Sequence, residues 1–372
     1  MCRGSAVGAV GYARKAGSEG CAKHTLGAPL VPALGWTTVP LRPRDLDTSD
    51  GPWLFKDGLE RLDPEAVSWQ REPAHRFMTD RALPSDVRQG GLASFALASA
   101  MACLAEFEGA VESLFDTADA PPTRRYGVSL YSFGEKRFQT LYVDDRLPRD
   151  ADGWPLRMCL AGNGESWPCV LEKAAAAYAG EYEGLANIDT SVSLTLLTGC
   201  TDVFEYSYVN YGGVAGFTKQ WRDCQSITGG PVSYRAWADG GRGWWPKAPQ
   251  DMFRLLVEWD EKDYLIMAGT EAGTLHDPYG EDSHAYSVLQ VRGDVAGTGW
   301  DMVQVRNPWG KATFPGAWSD TDPRWDQNPE VFLALNPTFG DDGLFWMARD
   351  DFFWLLPKLF CCERSMGRKR AL

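Results

Sequence analysis

Three short segments carry residue types that could do chemistry together: RQGGLASFALASA at 88–100, SHAYSVLQV at 283–291 and VRNPWG at 305–310. The first places Gln89 just ahead of an apolar helical run. The second places His284 at the start of an apolar strand, and the third places Asn307 at the end of another, 23 residues later, beyond a turn at GDVAGTG. An imidazole can take a proton from a nucleophile, and an amide can hold that imidazole in one tautomer. The start of a buried helix favours negative charge. Acyl transfer by such a set needs a nucleophile as well. The chain has nine cysteines, yet the first one after Gln89 is Cys103, which lies about 12 Å along the helix from Phe95 at ~1.5 Å per residue.

These residues need elements to position them. FALASAMACLAEFE, residues 95–108, has no Pro or Gly and reads as a buried helix. YGVSLYSF and RFQTLYVDDRLP read as a hairpin, and WPCVLEKAAAAYAG as a second helix. Beyond residue 195 the pattern turns to strands, DYLIMAGT, HAYSVLQVRG and WDMVQVRN, separated by Gly-rich and acidic turns. A helical part followed by a sheet part predicts an α+β fold. Residues 207–250, rich in Gly, Trp and Tyr, read as loop insertions.

Charge and composition exclude several functions. The net charge is −13, which argues against a nucleic-acid partner, because a phosphate backbone needs clustered Lys and Arg. No run approaches the ~20 apolar residues of a membrane helix. Residues 1–44 hold six Lys/Arg against one acid, Glu19; with their Gly, Ala and Pro they read as part of a flexible basic tail over 1–50, without the apolar core of a secretory signal. Residues 365–372, SMGRKRAL, read as a solvated basic tail. The cysteines lack any CxxC pair, which suits free thiols in a reducing, cytoplasmic setting.

The chain resembles the catalytic domain of the calpain family of papain-like cysteine peptidases. That family opens its active-site helix with Q-G-x-L-G-D-C-W, where residues 89–96 read QGGLASFA. Its H-A-Y-S-V matches residues 284–288 and its R-N-P-W-G matches residues 306–310. FGE, VDDRLP, LEKA, YEGL, GAW and DGLFWM follow in the family's order, so the likeness spans about residues 80–363. It implies a papain-like α+β core with a helical subdomain at 51–194, a β-rich subdomain at 195–364 and a cleft between them. It also implies site roles: Gln89 in an oxyanion hole, His284 as base, Asn307 orienting it and Trp309 shielding the pair. The nucleophile position falls on Phe95, whose ring has no proton to give and no lone pair to attack with. Ser94 beside it projects roughly 100° away around the helix and reads as a cap, and Cys103 reads as a core thiol. His75 and His276 read as loop or surface histidines.

The resemblance further implies calcium bound by hard oxygen ligands. In the first site the family's side-chain ligands fall on Asp86 and Glu165. In the second, Asp320 and Asp342 persist while Thr313 and Leu344 replace acids, which leaves a degraded site. One calcium site at most is expected. The expected function is a calpain-like peptidase homologue without catalytic activity that binds a protein or an extended peptide, with an active calpain relative as one candidate partner. The alternative is calcium-dependent endopeptidase activity through a non-standard nucleophile.

Overall fold

The Ala- and Leu-rich run does form a buried helix: α1 spans Phe95–Leu104, and all ten of its residues are buried. A helix apolar on every face belongs inside a core rather than on a surface. The computed structural model describes residues 38–40, 59, 61–72, 76–116, 124–186, 188–211, 213–235, 247–270, 284–311 and 314–369. His75, His276, Thr313 and nearly all of the 1–50 segment lie outside the described residues. The helix is shorter than the expected 95–108, and Glu106 and Phe107 lie in the turn that follows it.

The remaining elements follow in chain order. Strands β1 (Arg125–Ser132) and β2 (Arg137–Asp144) form the expected antiparallel hairpin. Helices α2 (Trp167–Ala179) and α3 (Thr190–Thr198) complete the helical part. Asp189 caps α3 by accepting the Ser191 amide at 2.7 Å, and Gly199, at φ 64°, ends it in the left-handed region. Then come β3 (Val203–Tyr211), β4 (Val214–Cys224), β5 (Pro231–Arg235), helix α4 (Pro249–Glu261), β6 (Tyr264–Gly269), β7 (Ala285–Arg292), β8 (Met302–Arg306), β9 (Leu344–Ala348) and β10 (Lys358–Ser365).

These eight later strands make one antiparallel sheet in the order β9-β8-β7-β6-β10-β3-β4-β5. Side chains alternate across a strand, and the sheet's two faces serve different cores. Leu265, Met267, Ala285, Phe360 and Cys362 pack with the helical part. Their neighbours Ile266, Ala268, Tyr286, Leu359 and Cys361 pack on the opposite face with Met252, Phe253, Leu256 and Trp259 of α4. The result is an α+β architecture, as expected.

Two expectations are corrected. Of residues 207–250, those from 207 to 211 and 214 to 235 are not loop insertions, because β3, β4 and β5 pair in register from Tyr211 opposite Val214 to Cys224 opposite Pro231; residues 236–246 lie outside the described residues. Two residues connect Tyr211 to Val214, and Gly213 there has φ 84°; Gly-Gly in this setting marks a tight hairpin rather than a long loop. The basic tail at 365–372 is docked at least to Lys369. Met366 is buried, the Glu108 amide donates to the Arg368 carbonyl at 3.0 Å, and Lys369 Nζ reaches Glu106, Asp260 and the Leu289 carbonyl.

That docking buries Glu106. Burial pushes its carboxyl up to about 8, with Lys369 opposing the shift. A carboxyl whose pKa is higher folded than unfolded contributes stability below its ordinary value near 4.5. That contribution is lost as pH rises toward 8, since the folded state holds the extra proton in that window. Urea unfolding across pH 4.5–8 is therefore expected to show stability falling more steeply in the parent than in Glu106→Gln. Equal slopes would remove the assignment.

Candidate active site

His284 sits one residue ahead of β7, and its position is fixed through its backbone. Its amide donates to Thr270 Oγ1 at 2.8 Å, and its carbonyl accepts the Thr270 amide at 3.0 Å. The ring is buried, with Nε2 3.1 Å from Asn307 Oδ1. An amide oxygen only accepts, so this contact makes Nε2 the protonated nitrogen of the neutral ring.

Asn307, fully buried at the end of β8, organises the loop after it. Its Oδ1 also accepts the Trp309 amide at 3.1 Å, its carbonyl accepts the Gly310 amide at 3.1 Å, and its own amide donates to the Gly343 carbonyl at 2.9 Å. Gly343 has φ 82°, and a Cβ there would lie 2.7 Å from the Asn307 carbonyl oxygen, so only glycine fits.

Among the described residues, three aromatic rings pack against the imidazole. Phe95 lies 5.5 Å away between ring centroids, Trp309 4.9 Å and Tyr286 4.8 Å. Tyr286 was missed in the sequence, although residues i and i+2 of a strand share a face, and His284 and Tyr286 stand in that relation. Phe95 begins α1, so its place opposite His284 follows from how that helix is seated. Ser99 Oγ donates to the Ala285 carbonyl at 2.8 Å, and Ser287 Oγ donates back to the Ser99 carbonyl at 2.9 Å.

The neighbouring candidates go elsewhere. Ser94 is fully buried and stands at the N-cap position of α1 without capping it; its Oγ donates instead to Glu172 Oε1 at 2.7 Å, and Glu172 Oε2 accepts the Met158 amide at 2.8 Å. The hydroxyl is thus spent inside the helical part. Cys103 is a core thiol, as expected, and burial pushes its pKa up to about 12. Gln89 is tied to the Asn307 loop by its amide, which donates to the Pro308 carbonyl at 2.9 Å. Its side-chain Nε2 donates to the Leu92 carbonyl at 2.9 Å, and its Oε1 is buried without a partner.

The acidic candidates come together in two pairs. Asp86 Oδ2 accepts the Leu83 amide at 2.7 Å and Trp167 Nε1 at 3.1 Å, while Glu165 Oε1 accepts the Thr79 amide at 2.7 Å. Burial pushes the Asp86 carboxyl up, and Glu165 adds to that. Glu165 Oε2 is buried without a partner, an orphan of the kind a hard cation would satisfy. Asp320 accepts the Gly340 amide at 3.0 Å and Asp342 the Leu344 amide at 2.9 Å; burial raises Asp320, and Asp342 raises it further. Among the described residues no three His, Cys, Asp or Glu side chains cluster as a metal centre.

An α+β frame holding a buried His–Asn pair opposite the start of a buried helix defines the papain-like class of cysteine proteases. Residues 53–363 match the sequence model of the calpain family cysteine proteases, and the chain belongs to that family. It is 26% identical over 326 residues to the calpain-1 catalytic subunit of Rattus norvegicus, covering 82% of this chain and 40% of that protein. It is 27% identical to the calpain-2 catalytic subunit of Gallus gallus, covering 94% of this chain and 47% of that protein. A calpain-type cysteine protease of Arabidopsis thaliana is 26% identical, with 86% of this chain and 13% of that protein covered. The chain thus spans less than half the length of these curated relatives.

If the Phe95 ring is what covers His284, its removal has two effects. Phe95→Ala is expected to lower the unfolding free energy in urea by ~3–5 kcal/mol. It is also expected to speed modification of His284 by diethyl pyrocarbonate, read by mass spectrometry. A rate equal to the parent's would show that the ring does not guard the imidazole.

Proposed function

We propose that this chain is a calpain-family pseudopeptidase whose cleft binds an extended segment of protein without cutting it. The observation that carries this is Phe95 at the start of α1, with its ring against His284, where the family's motif has the nucleophilic cysteine. Proton abstraction by His284 then has no target, because a phenyl ring offers neither an acidic proton nor an attacking lone pair. Backbone pairing with an extended peptide needs no thiol, so recognition outlasts hydrolysis. An active calpain relative, or a substrate to be shielded, is the partner class this supports, and seven free cysteines among the described residues suit a reducing cytoplasmic setting.

The competing reading, calcium-dependent endopeptidase activity through a non-standard nucleophile, draws on the assembled His284–Asn307 pair. Its weakness is the nucleophile: the Ser94 hydroxyl is held by Glu172, and the Cys103 thiol is buried with its pKa pushed up to about 12. The engaged side-chain donor of Gln89 also has to leave Leu92 before it can serve an oxyanion. A shielding role for Trp309 is supported by its ring lying 4.9 Å from the imidazole between centroids. Incubated with calcium and an unfolded protein substrate, the parent is expected to release no fragments. Phe95→Cys is expected to gain proteolysis that a second change, His284→Ala, abolishes. Turnover by the parent that His284→Ala removes would overturn the pseudopeptidase reading.

Calcium is assigned to the Asp86–Glu165 pair alone. Bound there, a divalent cation would neutralise two buried carboxylates, with backbone carbonyls and water completing its oxygen shell. The Asp320–Asp342 pair keeps two acids but has Leu344 where the family has a third carboxylate, and calcium affinity follows ligand charge. Calorimetry is expected to show one calcium-binding event that Asp86→Ala and Glu165→Ala each abolish and Asp342→Ala leaves intact. No heat of binding in the parent would remove the site.

A further inference from the structure

Several described cations have carboxylate partners: Arg71 and Arg124 on Asp145, Arg146 and Lys173 on Asp144, Arg157 on Asp63, and Arg222 on Asp189. Arg88 and Lys311 have none among the described residues, and they bracket the site, one preceding Gln89 and the other following Gly310. The Arg88 backbone is fixed. Its carbonyl accepts the Cys159 amide at 2.9 Å, and the next amide, that of Gln89, donates to Pro308 at 2.9 Å.

The Arg88 side chain is placed by two glycines. A Cβ on Gly310 would lie 3.0 Å from its Cγ, and one on Gly162 would lie 2.9 Å from Nη2, so stem and guanidinium run across bare backbone on both sides. Its Nε is buried without a partner. Lys311 is exposed. Gly310, which abuts the Arg88 stem, is followed directly by Lys311, so the two cations share one neighbourhood beside the Asn307 loop, and both oppose the upward push of burial and of Glu172 on the Cys159 thiol.

We infer that this neighbourhood is an acid-selecting subsite, in which Arg88 and Lys311 take an Asp or Glu side chain of the bound peptide. The inference rests on the peptide-binding function proposed above and adds the substrate class. A guanidinium presents a planar fork of donors matched to a carboxylate, while an ammonium adds charge without fixed geometry. Arg88 is preorganised by its packing and so loses little freedom on pairing. Elsewhere the chain is strongly acidic, with a net charge of −13. An acidic peptide would meet repulsion over much of that surface and attraction here, so the two cations would set its register as well as its affinity.

The test uses fluorescein-labelled octapeptides of Ala, Leu and Ser, with a single Glu walked through the positions and a Gln counterpart of each, followed by fluorescence anisotropy on the full chain. At low salt one Glu position is expected to bind about fivefold tighter than its Gln counterpart, the scale of a partly exposed ion pair. Arg88→Gln with Lys311→Gln is expected to erase that ratio without changing the thermal unfolding midpoint. Arg254→Gln, the same charge change at an exposed site on α4, is expected to leave the ratio intact. Peptides that bind with equal Glu and Gln affinity, or a ratio unmoved by the double variant, would overturn the subsite while leaving peptide binding in place. No binding by any peptide would overturn the peptide-binding function and the subsite with it.

Discussion

The whole site depends on the seating of one helix that has no polar face. With all ten residues of α1 buried, it must lie between the helical part and the sheet, and close packing leaves it little room to move. Ser99 and Ser287 exchange hydrogen bonds with each other's strand or helix backbone, and Cys103 Sγ lies 3.2 Å from the Ile266 carbonyl. Sliding α1 along β7 would leave those buried groups unpaired, at a cost of about 1–3 kcal/mol each. Phe95 stands opposite His284 because the helix behind it cannot shift, and the site's geometry is an outcome of core packing more than of surface charge.

That dependence explains what was legible in the sequence. The buried helix, the hairpin and the strands bearing His284 and Asn307 showed because apolar periodicity and composition are local properties of a segment. The β3–β5 meander did not, because its Gly, Trp and Tyr content mimics loops and the one clear signal, Gly-Gly between Tyr211 and Val214, marks a tight turn only once strands are assumed on both sides. Helix α4 carried its own amphipathic pattern, Met252, Phe253, Leu256 and Trp259, but began beside that same Gly- and Trp-rich stretch. At the site, His284, Asn307 and Phe95 were readable by motif and Tyr286 by strand period. The engagement of Gln89 by Leu92 was not, since a side chain's choice of one nearby carbonyl leaves no trace in residue order. Nor was the docking of Lys369 on Glu106 and Asp260, where the charges meet only through the fold.

The persistence of a His–Asn pair beside a ring that cannot react has a structural account. Asn307 bonds through its backbone to Gly310 and Gly343 and through Oδ1 to His284 Nε2 and the Trp309 amide, so replacing it with an apolar residue would take the side-chain acceptor from both of those donors, each loss costing about 1–3 kcal/mol. His284 fills the space among three aromatic rings, and truncating it would open a cavity there. Burying Phe95 contributes on the order of 1.5–3 kcal/mol. A thiolate at the same place would instead be a charged group at the edge of an apolar core, stabilised only by the helix end and the imidazole. On the proposed reading, exchanging the nucleophile for a phenyl ring removes a destabilising feature while every partner of the old site remains held by packing and hydrogen bonds of its own. On that same reading the outline of a site outlasts its reaction, because the packing and hydrogen bonds that hold His284 and Asn307 do not depend on a nucleophile.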